Sequence, residues 1–263
     1  MASPHRAGPR VAALVINWRH ADLTLLCLDD LLAVDDVAVR VLVMDNCSDD
    51  GSAERLRARI AALGAGDRVE FASFPENRGF TGGMNHGIEW AAKSGIPYVL
   101  VLNNDLRLPK DFLGPLVAVL DNDARVAAVG PTVLQPDGTV WAEGGQLGFR
   151  PNALQLRGHG RPPHPREHGP EAVQWLPGAC VLLRTAELKA LGGFDDRYFM
   201  YWEDVDLCER LRAAGKRIVW LPWVRIVHSA GQSSGGGRSP LRKYLMACNA
   251  VRFLRRRGRR PQV

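Results

Sequence analysis

The sequence predicts an α/β protein built on a mostly parallel central sheet, and three observations carry that prediction. Short β-branched runs alternate with helical patterns through the first half of the chain. Clusters of Asp and Asn follow the ends of those runs, where parallel sheets bind ligands. With 263 residues, 46% of them hydrophobic and 24% charged, the chain is long enough to bury one large core.

Strands are expected at residues 11–16, 39–44, 69–73 and 98–102, each followed by a helix, at 23–32, 53–63, 83–92 and 112–120. After a fifth strand at 126–130 the rhythm breaks. Residues 135–170 are rich in Gly, Pro and His and poor in apolar side chains, which predicts hairpins and loops inserted as a lid. A strand at 173–183, a short helix at 185–191 and a longer one at 204–214 follow. Residues 231–239 have the composition of a flexible linker. Ser239 and Pro240 suit an N-cap and first turn, after which Leu241, Tyr244, Leu245, Cys248, Val251 and Leu254 recur at helical spacing among Arg and Lys. That pattern is a basic amphipathic helix.

The net charge of +6 is local. From Leu241 to Val263 there are eight Lys or Arg and no acid, so residues 1–240 hold 26 basic against 28 acidic groups. A nucleic-acid-binding domain spreads positive charge over its folded face, so the body of the chain is not of that class. No apolar run approaches the ~18 residues of a membrane-spanning helix. The apolar run after Arg6 and Arg10 turns polar at Asn17, too short for a secretory signal. Five scattered cysteines without a Cys-x-x-Cys pair form neither a disulfide framework nor a thiolate zinc site, and the expected compartment is the reducing cytoplasm.

Chemistry concentrates at strand ends. Residues 39–44 lead into Asp45-Asn46-Cys47-Ser48-Asp49-Asp50-Gly51-Ser52, and residues 98–102 into Asn103-Asn104-Asp105. Asp49, Asp50 and Ser52 are accounted for as a helix start. The segment from Asn77 to Gly87 resembles a phosphate-cradling glycine loop, yet its spacing fits neither the dinucleotide fingerprint nor a P-loop. What is left there is a helix start with small residues that favours anions. From Gly192 to Cys208 aromatics and acids crowd together. Asp204 at a helix start is read either as a catalytic carboxylate or as an N-cap backed by core aromatics. His228 ends an apolar run and, with Asp105, can share a divalent cation, the alternative being a structural histidine.

Taken in order, Val15-Ile16-Asn17-Trp18, the residues from Asp45 to Ser52, Asn77 to Ile88, Leu102 to Asp105, Pro177 to Cys180, Gly193 to Leu207 and His228 resemble the family 2 inverting glycosyltransferases, in particular the rhamnosyltransferase-like branch. The resemblance implies a GT-A fold: a single Rossmann-like nucleotide-binding domain with a mostly parallel central sheet and a C-terminal acceptor-side region. It implies a flexible stretch at 1–10, a catalytic domain at 11–238 with a nucleotide-sugar half to about 130 and an acceptor half from about 131, and a basic helix and tail at 239–263. The donor site would comprise Ile16, Asn17, Asp45, Asn77, Gly79, Gly82, Gly83, Asn103 and Asn104. Asp105 and His228 would hold Mg²⁺ or Mn²⁺, with affinity dependent on the donor diphosphate because Asn fills the first two positions of the metal motif. Asp204 would be the general base, and Tyr201, Trp202, Glu203 and Asp206 would hold the acceptor or orient the site. The implied reaction takes a sugar from dTDP-rhamnose, or next from UDP-galactofuranose or another UDP-hexose, to a glycan, lipid-linked or small-molecule acceptor. The basic tail would draw the enzyme to anionic lipid, peripheral at the inner face of the cytoplasmic membrane. A nucleotidyltransferase and a non-catalytic sugar-nucleotide-binding scaffold are the competing readings. The first expects a basic glycine-rich loop after strand one, and Asn17-Trp18-Arg19-His20 is not one.

Overall fold

The computed structural model describes residues 8–148, 154–229 and 239–257. The first half runs β1 (Val11–Asn17), α1 (Ala21–Leu32), β2 (Val39–Asp45), α2 (Ser52–Leu63), β3 (Val69–Ser73), α3 (Gly79–Lys93), β4 (Tyr98–Leu102), β5 (Leu106–Arg107), α4 (Leu113–Asn122) and β6 (Val126–Leu134). The second half runs β7 (Val140–Ala142), β8 (Gly145–Leu147), β9 (Leu154–Leu156), β10 (Glu171–Ala172), β11 (Cys180–Arg184), α5 (Thr185–Leu191), α6 (Glu203–Ala213), β12 (Arg217–His228) and α7 (Pro240–Arg257).

One large sheet has the order β10-β12-β6-β11-β4-β1-β2-β3. Strands β3, β2, β1 and β4 are parallel, β11 is antiparallel to β4 and β6, and β12 is parallel to β6. The sheet is buried on both faces. Val11, Ala13 and Val15 of β1 pack with Leu28, Leu31 and Leu116 of α1 and α4. Ala12 and Leu14 pack on the opposite side with Met84 and Ile88 of α3 and with Val205 and Leu211 of α6. Two apolar faces are why the parallel strands read as continuous hydrophobic runs rather than alternating ones.

From β1 the chain winds outward through β2 and β3, then returns to place β4 on the other side of β1. That reversal opens a crevice beyond the carboxyl ends of β1 and β4. The two-residue β5 pairs antiparallel with the end of β12, His228 facing Leu106, which carries the far strand to the same crevice. Strand β12 slips register between Leu221 and Arg225, around Pro222, and such a bulge bends a strand.

Three expectations are corrected. Helix α3 begins at Gly79 rather than 83, so the glycines lie inside its first turns. Of the strand expected at 173–183 only the end is strand, as part of β11; the two-residue β10 precedes it, and the segment between them contains Trp175, Pro177 and Gly178. In α7 the buried side chains are Asn249 and Phe253, with Met246, Ala250 and Leu254 packed beside them. Leu241, Tyr244 and Val251 of the expected apolar stripe face outward. The linker expected at 231–239 lies outside the described residues up to position 238.

Candidate functional site

A cavity of about 710 Å³ opens in the crevice. Its floor is polar and cross-braced. The Asn17 amide, fully buried at the end of β1, donates to Asp45 Oδ1 at 2.8 Å, while its carbonyl accepts from Thr24 Oγ1 at 2.8 Å. Thr24 Oγ1 in turn accepts from Asn104 Nδ2 at 2.9 Å. Asp45 further accepts from the amide and hydroxyl of Ser48. One network thus ties the ends of β1, β2 and β4 to α1, satisfying buried polar groups that would otherwise be costly.

On one side of the cavity Asp105 follows β4 and His228 ends β12. Asp105 Oδ1 lies 3.0 Å from His228 Nε2, and Asn103 Nδ2 is 3.3 Å from the same nitrogen. Asp105 and His228 are almost wholly buried, yet Asp105 Oδ1 and His228 Nδ1 have no hydrogen-bond partner among the described residues. A separation of 3.0 Å matches two adjacent ligand atoms on an octahedral cation with bonds of about 2.1 Å. The carboxylate oxygen suits Mg²⁺ and Mn²⁺ alike, whereas the imidazole nitrogen is a softer ligand than Mg²⁺ usually takes and is the better match for Mn²⁺. Among the described residues no cluster of three or more His, Cys, Asp or Glu exists, so protein ligands alone would leave such an ion under-coordinated.

On another side α6 delivers Glu203 and Asp204. The two residues before them, Tyr201 and Trp202, have φ of 70° and 74°. Left-handed backbone at residues with bulky side chains costs about 1–3 kcal/mol each and persists only where surrounding structure holds it. The turn is held from both directions. Asn249 of α7 donates to the carbonyls of Met200 and Tyr201, each at 2.9 Å, and the Trp202 ring packs on Phe253 with centroids 5.2 Å apart. Asp204 accepts from Gly178 N at 2.9 Å and from Val205 N at 2.8 Å. Burial raises the Asp204 carboxyl above its ordinary range, and those two amides oppose the rise. Glu203 is raised well above its ordinary value, first by burial and then by the neighbouring Asp204, and its Oε2 has no partner among the described residues.

Of the residues singled out from sequence, Ile16, Asn17, Asn103, Asn104, Asp105, Tyr201, Trp202, Glu203, Asp204 and His228 line this one cavity. Others lie elsewhere. Asp45 braces Asn17 from beneath the floor. Asn77 accepts from the amide of Gly79 and from Asn46 Nδ2, so it shapes the entry to α3. Gly79, with φ of 67°, sits where a Cβ would meet the Phe199 carbonyl at 2.3 Å, and a Cβ on Gly83 would meet Ile16 at 2.3 Å. Gly82 lies against its own helix at Arg78. These glycines let α3 approach β1 and the 198–201 turn, and none of the three is among the residues lining the cavity. Asp206 is fully buried in ion pairs with Arg210 at 2.7 Å and Arg257 at 3.0 Å, so it orients α6 and does not meet an acceptor.

Sequence reasoning missed Trp18, Asn46, Phe80, Trp141 and Trp175, together with Arg242 and Met246 of α7, all of which line the cavity. The available signal was two tryptophans, Trp141 and Trp175, near the ends of a stretch too polar to bury them in a core of its own. That stretch supplies cavity wall through Gln135, Trp141, Leu154, Leu156 and His159.

A family model described as glycosyl transferase family 2 matches residues 14–170. The N-acetylglucosaminyl-diphospho-decaprenol L-rhamnosyltransferase of Mycobacterium tuberculosis is 32% identical over 216 residues, covering 75% of this chain and 68% of its own length. Rhamnosyltransferase WbbL of Escherichia coli is 43% identical over 58 residues, 22% of each chain. Among solved structures, mannosyltransferase PcManGT from Pyrobaculum calidifontis, in complex with GDP-Man and Mn²⁺, superposes with a TM-score of 0.65 at 20% identity over 95% of this chain and 66% of that one. GalNAc-T7 with UDP, GalNAc and Mn²⁺ gives 0.68 at 14% identity over 94% of this chain and 48% of that one. The chain therefore spans just under two thirds, or less, of these solved chains, and shares with them the GT-A fold.

Proposed function

The chain belongs to glycosyl transferase family 2, and from that premise we propose that it transfers a sugar from a nucleoside diphosphate to an acceptor hydroxyl with inversion, dTDP-rhamnose being the favoured donor and UDP-galactofuranose or another UDP-hexose next. One observation carries the reading. His228 Nδ1, Glu203 Oε2, Trp175 Nε1 and Trp202 Nε1 are buried without a hydrogen-bond partner among the described residues, Asp105 Oδ1 has only the His228 ring beside it, and all five belong to residues lining a single cavity. Unpaired buried polar atoms concentrated in one place are best explained by a polar ligand that satisfies them.

The donor's nucleotide enters over the floor made by Ile16, Asn17, Asn103 and Asn104, and the acceptor enters beside Tyr201 and Trp202. Asp204 takes the acceptor's hydroxyl proton as the oxygen bonds to the anomeric carbon and the bond from that carbon to the diphosphate breaks, the electron pair leaving with the diphosphate. Glu203, held protonated by its burial and by Asp204, leaves the negative charge of the pair on the base. Asp105 and His228 would hold Mg²⁺ or Mn²⁺, which neutralises charge developing on the leaving diphosphate. With only these two side chains from the protein, the donor diphosphate would supply further oxygen ligands, so cation affinity would rise with the donor present.

The acceptor class is a glycan or a lipid-linked sugar, in keeping with the polyprenyl-linked substrate named for the mycobacterial relative. The outward face of α7 supports a lipid surface as the meeting place. Leu241, Tyr244 and Val251 are 62%, 66% and 50% exposed, with Lys243 and Arg255 also exposed and no acid in the helix. No helix among the described residues is long and apolar enough to cross a membrane.

The test is release of free nucleoside diphosphate from a panel of sugar nucleotides with Mn²⁺. Asp204→Asn is expected to keep donor binding and lose at least about 10²-fold in turnover. Release of pyrophosphate instead, or unchanged turnover by the variant, overturns the assignment.

A further inference from the structure

The described part of the molecule ends in a helix, α7, that braces one wall of the site through a buried polar side chain. Asn249 is 1% exposed and, with Phe253, is one of the two buried residues of a helix otherwise carrying exposed and half-buried ones. Its amide nitrogen bonds the carbonyls of Met200 and Tyr201, and its carbonyl oxygen accepts from Arg252. Two acceptors on one side and a guanidinium on the other fix which end of the amide faces the turn. Around it, Phe253 packs on Trp202, Arg252 lies over the Tyr198 ring, Arg256 pairs with Asp195 and Arg257 with Asp206. Every one of these contacts falls on the 195–206 stretch that presents Glu203 and Asp204, and none falls on the floor formed by Ile16, Asn17 and Asn103.

We propose that Asn249 is a positioning residue for the base: by bonding the Met200 and Tyr201 carbonyls, the two that immediately precede the left-handed residues Tyr201 and Trp202, it holds the turn that aims Asp204 at the acceptor. The proposal rests on the glycosyl-transfer reading and assigns α7 a part in the chemical step in addition to packing. An apolar or acidic side chain at 249 would leave the two carbonyls unpaired or facing another oxygen, and the turn would relax towards ordinary φ. Donor binding, built on the opposite half of the cavity, would not sense the change.

The experiment uses the full chain and the nucleotide sugar turned over in the panel above, dTDP-rhamnose first. Asn249→Asp keeps size and removes the donor hydrogens. It is expected to lower kcat at least tenfold while the donor KM, and the calorimetric Kd of the nucleoside diphosphate with Mn²⁺, stay within threefold. Loss of donor affinity in step with kcat marks a merely structural role and overturns the proposal, as does an unchanged kcat. A double-mutant cycle guards against misfolding. Tyr201→Gly adopts the left-handed conformation without strain, so Asn249→Ala is expected to cost less than threefold in that background and more than tenfold alone, and equal losses in both overturn the proposal. Asp204→Asn in the same assay separates the two ideas. An inactive Asp204→Asn beside an unaffected Asn249→Asp removes the pin alone, whereas unchanged turnover by Asp204→Asn removes the transfer reading and the pin with it.

Discussion

Glu203 and Asp204 are neighbours in sequence with unlike surroundings. Glu203 is buried with one oxygen unpaired among the described residues, whereas both oxygens of Asp204 accept backbone amides. The proton of the pair therefore stays on Glu203. Because that carboxyl keeps its proton to higher pH in the folded chain than in the unfolded one, the native state binds more protons between the two values, and stability falls as pH rises through that window. Glu203→Gln is expected to flatten this dependence and to give a higher Tm than the parent on the neutral side, as thermal unfolding across about pH 5–8 would show; an unchanged slope would contradict the burial argument. At this scale the residues legible in sequence were those ending strands, such as Asn17 and Asp105, because strand ends are where an α/β sheet presents polar groups. Asp206 and Asn77 were legible only as residue types. What they bond depends on Arg257, 51 positions away, and on Asn46, 31 positions away, and no local pattern encodes such pairings.

The elements show where local propensity and packing part company. The βα alternation is recovered nearly as read, since β-branched runs between polar clusters leave few alternatives. Helix α3 starts earlier than its pattern because glycines are poor helix formers and are tolerated there only for the close approach they permit. Gly79 makes that testable. Its φ of 67° strains any side chain, and the Phe199 carbonyl stands where a Cβ would go. Gly79→Ala is expected to cost at least about 1–2 kcal/mol and lower Tm by about 2–8 °C, with a loss of turnover because Phe199 lies two residues before the strained Tyr201. Gly51→Ala, also at positive φ but with nothing within 4 Å, is the control and should cost less. The stretch 173–183 misled because its apolar residues include cavity wall as well as sheet, and Pro177-Gly178 marks the break. Helix α7 misled because it has two apolar faces, and composition does not say which one docks.

Across the whole molecule, the sheet brings the Asp105 and His228 pair from its strand ends and α6 brings Asp204, the proposed base, so the two parts of the site belong to different layers of the fold. The basic character of residues 241–263 divides in the same way. Arg257 is turned inward onto Asp206 and Arg256, though exposed, is paired with Asp195, leaving Lys243, Arg255 and the exposed apolar residues to face solvent. Attraction to lipid should therefore depend on the outer stripe of α7 more than on total charge. Sedimentation with vesicles rich in anionic phospholipid is expected to capture the parent chain and to miss a Leu241→Glu, Tyr244→Glu variant; equal capture would sink the idea. Long-range placement of this kind was not legible in the sequence, because segments at either end of a chain meet only through the topology between them.

The large sheet terminates in β3 on one side and β10 on the other, strands of five and two residues. A second polypeptide seeking to extend the ladder would find few free backbone groups at either border, and at β3 it would meet Glu70, already engaged by Arg40 and by the Trp90 indole. Resistance to strand-to-strand clumping is thus built into these two borders of the sheet.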